Sequence, residues 1–298
     1  GQGNTAVGAM AGNAVSGSSG NNVFVGDQAG YALTQTLGNV LVGYQAGTNG
    51  GTGERNTMLG HRVGMSLKGS NNVILGYDAA YVLSGSCHGN IILGAGTGHV
   101  AADISYAVVI GNNAGYQLTG TADTAPDNVV LIGYRAGRLF TSGSGNVVVG
   151  DNAFYSSGAR QYNTVMGSGA MYYATTASSN VAIGYSSLAN LTIGDSNTVI
   201  GYQAGDAMTT TANTVLIGQS AGGSINNTGA DGTVAIGYKA LEDLTSGGSN
   251  TALGYRAGMN MTTGGNNVAI GYNSLVNAVD TCNSNIAIGS QAMITVDR

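Results

Sequence analysis

An apolar residue pair followed by glycine recurs seventeen times along this chain, and that spacing constrains the fold more than any other feature. The marker glycines are Gly8, Gly26, Gly43, Gly60, Gly76, Gly94, Gly111, Gly133, Gly150, Gly167, Gly184, Gly201, Gly218, Gly237, Gly254, Gly271 and Gly289. They span 281 residues, a mean step near 17.6. A fixed period of this size marks a stacked-repeat architecture, in which each unit hides its apolar face only against its neighbours. The composition shifts nowhere, so residues 1–298 read as a single repeat domain.

The residue before the marker is Val, Leu, Ile or Met in every copy, from Val7 to Ile288, and the residue before that is also always apolar. Short apolar runs bounded by turn residues predict strands. Seventeen residues hold one strand of about five, a second short leg and two turns. The expected fold is therefore all-β, a parallel β-solenoid or β-roll of about 17 coils of ~17 residues. Stacked at strand spacing, such an array is roughly 75–80 Å long. The second leg stays open between a single helical turn and a short outer strand, because "ALEDL" at Ala240 and "AGMNM" at Ala257 space apolar residues by three and four.

Successive strand residues point to opposite faces, so one apolar row fills the coil and the other needs a second cover. A long exposed apolar stripe is rare on a monomer. Two more copies around a threefold axis would cover it, which predicts a homotrimer; the alternative is a second leg folded over that face. One candidate for the outward row is Phe24, Leu41, Ile74 and Ile92 early in the chain and Ala235, Ala252, Ala269 and Ala287 late. On that assignment the shared axis narrows towards the C-terminal end; the two rows also allow the reverse assignment.

Charged residues make up 8% of the chain and glycines number 52 of 298, a balance of turns and apolar runs unlike that of disordered segments. Nine basic residues against a net charge of −5 form no basic stripe, so no nucleic-acid partner is expected. No apolar run reaches the length of a membrane span, so no membrane insertion is expected. The chain opens at Gly1 with neither Met nor a signal peptide, which reads as a processed product or a segment of something longer. Cys87 and Cys282 fall eleven coils apart, about 50 Å, far beyond disulfide reach, and are expected to be thiols.

Asparagine recurs at the strand start, as at Asn128, Asn180, Asn197, Asn213, Asn250 and Asn267. Stacking turns such a position into a ladder of side-chain amides that clips the corner. Tyrosine follows the marker at Tyr44, Tyr77, Tyr134, Tyr185, Tyr202, Tyr238, Tyr255 and Tyr272, where it either seals the corner or offers rings to a sugar. "GQSAG", Gly218–Gly222, fits the pattern of a hydrolase nucleophile elbow. Yet Ser220 fills the slot taken elsewhere by the middle residue of "GYQAG" or "GYRAG", and reads as a repeat variant. His61, His88 and His99 with Cys87 match no zinc-ligand spacing. Acidic residues such as Glu54 and Glu242 form no recurring row for glycoside hydrolysis. The expectation is a non-enzymatic protein with no catalytic residue, metal or cofactor.

Two long steps stand out. Gly111 to Gly133 contains "TADTAPDN" with Thr121, Asp123, Pro126 and Asp127; Gly218 to Gly237 contains "NNTGADG" with Asn226, Asn227 and Asp231. Insertions in a solenoid bulge on one face, often the binding face, so these seven residues are the candidate contacts.

The stretch "NTALGYRAGMNMTTGGNNVAIGYNSL", Asn250–Leu275, resembles the repeat arrays of bacteriophage tail-fibre and tail-spike proteins. More loosely it is similar to the head domains of trimeric autotransporter adhesins, whose "SVAIG"-type strands build a left-handed parallel β-roll trimer. The resemblance covers essentially the whole chain. It implies a homotrimeric fibre on a virion tail or extracellular surface, holding a host cell-surface glycan or protein by multivalent contacts. It also implies a self-cleaving C-terminal chaperone beyond such an array, with "MITVDR" at the cut. A bacterial adhesin head is the second reading and a polysaccharide-degrading spike the third.

Overall fold

The computed structural model describes residues 3–51, 53–85, 87–119, 127–156, 158, 160–278 and 282–296. Among these the chain is all-β, with no α-helix and one single-turn 3-10 helix, Thr228–Ala230. Among the described residues no helix is long and apolar enough to cross a membrane. The chain forms two compact units, one of residues 1–149 with 157–159, the other of residues 150–156 with 160–298. Both are parallel β-solenoids, about 16 turns in all.

In the first unit the strands run from Thr5–Val7 to Val147–Val149, each parallel to the strand of the next coil, with Phe24 opposite Leu41 and Leu41 opposite Met58. In the second they run from Thr164–Met166 to Ile286–Ile288 in the same in-register way. Each of these strands has three residues rather than five and ends immediately before its marker glycine. The glycine stops it by turning to a φ of 126° to 146°. A Cβ there would also strike the marker of the next coil: at Gly201 it would lie 2.3 Å from the Gly218 oxygen.

The second leg is mostly neither helix nor strand. After Gly26, the amides of Ala29, Tyr31 and Leu33 bond three residues back, to Gly26, Gln28 and Gly30. The alternate amides, Gly30 and Ala32, bond to Ala46 and Thr48 of the next coil. This alternation requires a left-handed backbone at every second residue, with φ of 57° at Gln28 and 64° at Gly30. Non-glycine residues accept it throughout, including Leu188, Leu241 and Leu275, at a cost of about 1 kcal/mol or more each that the bonded neighbours impose. In places the leg straightens: Val82–Ser84, Val100–Ala102 and Gln117–Thr119 form a parallel sheet, and Asn277–Ala278 pairs with Thr295–Val296.

The core corrects one assignment of the apolar rows. Phe24, Leu41, Ile74, Ile92, Ala235, Ala252, Ala269 and Ala287 point inward and are buried. The residues on either side of them in each strand face outward. The late alanines therefore narrow no shared axis. In several coils where this row is small, the leg's left-handed turn carries a large residue instead: Ala182 goes with Leu188, Ala235 with Leu241, Ala269 with Leu275. Where it is large, that turn is small, glycine in most coils and Ala80 beside Ile74: a Cβ on Gly30 would meet the Phe24 ring at 2.6 Å. Ala6 and Ala252 keep glycine at that turn, Gly12 and Gly258, and there Phe24 and Leu241 of the neighbouring coils fill the space, so volume is conserved across adjacent coils, as close packing requires.

Candidate functional site

Stacking sorts the polar and aromatic side chains into columns, one rung per coil. The asparagine column is buried through most of its length and bonded wherever asparagines follow one another. Asn180 Oδ1 accepts from the backbone N–H and the Nδ2 of Asn197, at 2.9 and 3.0 Å. Asn180 Nδ2 in turn donates to Gly194 O at 3.0 Å, and Asn267 repeats the arrangement on Asn250. Asn213 is not a rung. The buried rung of that coil is Thr214, whose Oγ1 donates to Asn197 Oδ1 at 2.7 Å. Asn213 is the exposed residue before it, with φ of 58°, and Asn128 stands likewise before buried Val129.

Two of the candidate contact residues, Asp127 and Asp231, belong to a second column, six residues ahead of the marker. There a side chain accepts the backbone N–H of the preceding coil. Asp127 takes Ser105 N–H at 2.6 Å and Asp231 takes Ala212 N–H at 2.9 Å. His88 Nδ1 does the same for Ser70, and Asp195 for Ser178. Asn227 caps the short 3-10 helix through Gly229 N–H at 2.8 Å, and Asn226 Oδ1 accepts from Asn227 Nδ2 at 2.9 Å. Each of these four described residues thus makes a side-chain bond within the chain. Thr121, Asp123 and Pro126 lie outside the described residues.

Aromatic rings fill two further columns. In the first, next to the marker, His61 takes a tyrosine's place and stacks between Tyr44 and Tyr77 at 5.0 and 5.1 Å; Tyr238, Tyr255 and Tyr272 stack likewise. Ring faces inside these stacks meet other rings, so only edges and hydroxyls reach a ligand. The second column lies five residues past the marker. There His99 stacks between Tyr81 and Tyr116 at 5.1 and 4.8 Å, and Tyr155 stacks on Tyr172 at 4.8 Å. The three histidines therefore sit in three different columns. Ser220 is a half-buried turn residue with φ of 53°, in the slot of Gln203 and Arg256.

Sequence reasoning passed over two features. Arg160 is fully buried with its guanidinium 4.5 Å from the Phe154 ring, and burial pushes its pKa down to about 9. It occupies a corner slot held by Ala177 one coil later, and its Nη1 donates to Ser156 O at 2.7 Å. The other feature is a notch in the first unit. At "GAGTG" the ring position is Ala95 and the polar position beyond it is Gly96, so both columns lose a rung. A cleft of about 270 Å³ opens there, walled by Tyr77, Asp78, His99, Asn112 and Asn113. Comparison with protein-family models, curated proteins and solved structures gave no match.

Proposed function

We propose that the chain is the repeat shaft of a homotrimeric tail fibre that attaches a virion to its host cell. The carrying observation is the outward strand face. It is apolar in coil after coil, yet one chain leaves Val40, Val73, Ile91 and Val147 38–40% exposed and Leu59 48%. In the second unit Met166 and Leu253 are exposed in the same way. The second leg is committed to its own turns and to neighbouring coils, so it does not overlie this face. A second and third copy, bringing identical stripes around a threefold axis, would remove it from water, and a rigid trimer would present its receptor contacts in threes. Enzymatic chemistry has no part in this reading.

Light scattering on the full chain tests it. The expected mass is three times the 29.6 kDa of one chain. The double substitution Ile91→Glu and Leu253→Glu, on the outward face, should break the assembly while far-ultraviolet circular dichroism stays β-rich. A monomeric mass for the unsubstituted chain overturns the trimer.

A further inference from the structure

The notch at Ala95 and Gly96 lies at the end of the Tyr44–His61–Tyr77 ring stack. Tyr77 meets His61 on one face, at 5.1 Å. On the opposite side the next coil supplies only Ala95, and Asn112 follows one coil later. Two coil steps span about 9.6 Å, room for one ring between Tyr77 and Asn112. The rim is polar. Asp78, held bidentately by Arg62 at 2.9 and 2.5 Å, keeps further acceptor capacity. Asn113 Nδ2 donates to Asn112 Oδ1 at 2.5 Å, which leaves the Asn112 amide hydrogens and Asn113 Oδ1 for a guest. His99 Nδ1 is buried and meets no partner.

We propose that this notch binds one neutral pyranose ring of a cell-surface glycan. The ring's C–H face would lie on Tyr77, and its hydroxyls would donate to Asp78 and Asn113 and accept from Asn112. Three observations select that chemistry. The guest must be about one ring thick. It must carry donors and acceptors around its edge, because a purely aromatic guest leaves Asp78 and both asparagines unmatched. It must be neutral, because Arg62 already balances Asp78 and leaves no net charge on the rim to pair with an ionic guest. The cell-surface origin of the glycan rests on the fibre reading above; the ring site does not.

Saturation-transfer NMR on the full chain tests the site, with methyl glycosides of glucose, galactose, mannose and N-acetylglucosamine as probes. At least one should receive saturation at its ring C–H protons and titrate with a millimolar Kd. Ala95→Tyr installs the residue the repeat uses at Tyr77 and Tyr134, fills the notch, and should weaken that binding about tenfold or more. Asn112→Ala, on an exposed wall, should weaken it in the same direction and guards against misfolding of the first variant. Unchanged binding in both variants overturns the site. So does saturation of none of the probes, or of N-acetyltyrosinamide in their place. Cell attachment and mass, measured on the same proteins, separate the two claims. Glycoside binding by a monomer that ignores cells sinks the fibre and keeps the site. Attachment by a trimer in which Ala95→Tyr changes neither cell nor glycoside binding sinks the site and keeps the fibre.

Discussion

Replacing Asn180 with alanine tests the interior ladder directly. The substitution removes one acceptor oxygen and one amide donor from a fully buried corner. Asn197 loses the partner of its backbone N–H, and buried Gly194 O loses its donor. Asn197 Nδ2 keeps Thr211 O at 2.9 Å, so it is spared. Two stranded backbone groups at about 1–3 kcal/mol each put the cost near 4 kcal/mol. Asn180→Thr should lose nearly as much, because a threonine at this station bonds only the preceding asparagine, as Thr214 does at 2.7 Å, and restores neither stranded group. A global melting curve is a poor gauge for a repeat array whose cooperativity can break down. Amide hydrogen exchange is local. Around Asn197 the alanine variant should exchange about a thousandfold faster, the equivalent of that free energy. Coils three or more steps away should be unaffected, since each contacts only its neighbours. A change below about threefold at Asn197, or loss of protection spread evenly over the chain, refutes the ladder argument. The native chain carries a partial control at Ala107, which sits in the same column and offers the next coil no side-chain acceptor.

Two other expectations follow from the coil. Gly201→Ala forces a methyl group to 2.3 Å from Gly218 O at a φ of 146°, whereas at Gly289 the nearest atom is Ala292 Cβ at 3.9 Å; the first variant should lose about 3 kcal/mol or more and the second only the strain of its φ, about 1–2 kcal/mol, read as the difference in Tm and soluble yield. Burial pushes the Cys87 thiol up to about 11, from 9.0. The folded state then holds that proton more tightly than the unfolded one, so this thiol's contribution to stability is intact below pH 9 and is lost as pH rises from 9 to 11. Iodoacetamide at neutral pH should therefore label Cys87 only in denaturant, and fast labelling of the native chain would contradict the burial.

The period was legible because every coil repeats the same solution, and the strands stop at the glycines where the sequence places the turns. The inward face was legible too, through a signal easily passed over. Thr57, Thr164, Thr198 and Thr251 stand two residues before Leu59, Met166, Ile200 and Leu253, so they share a face with them, and a face that accepts threonine so often is the outer one. The second leg was not legible. Its left-handed turns are set by bonds to neighbouring coils, and Gln28, Arg62 and Leu188 have no intrinsic preference for that backbone. Asn213 misled because an asparagine beside the ladder position also suits a left-handed turn. The second aromatic column was written plainly in Tyr31, Tyr81, Tyr116, Tyr155 and Tyr172, each five past a marker. The notch showed only as "GAG" where most neighbours carry a larger residue, and its meaning depends on what stacks to either side.

Because a coil bonds only to the coils on either side, and because those bonds fall in the same register within each unit, one coil of a unit is interchangeable with another as far as the backbone is concerned. An unequal exchange between two of the similar coding stretches would therefore delete or duplicate whole rungs and leave the remainder joined as before. The height of a unit becomes a quantity that varies in steps of one strand spacing, free of any redesign of the parts that remain.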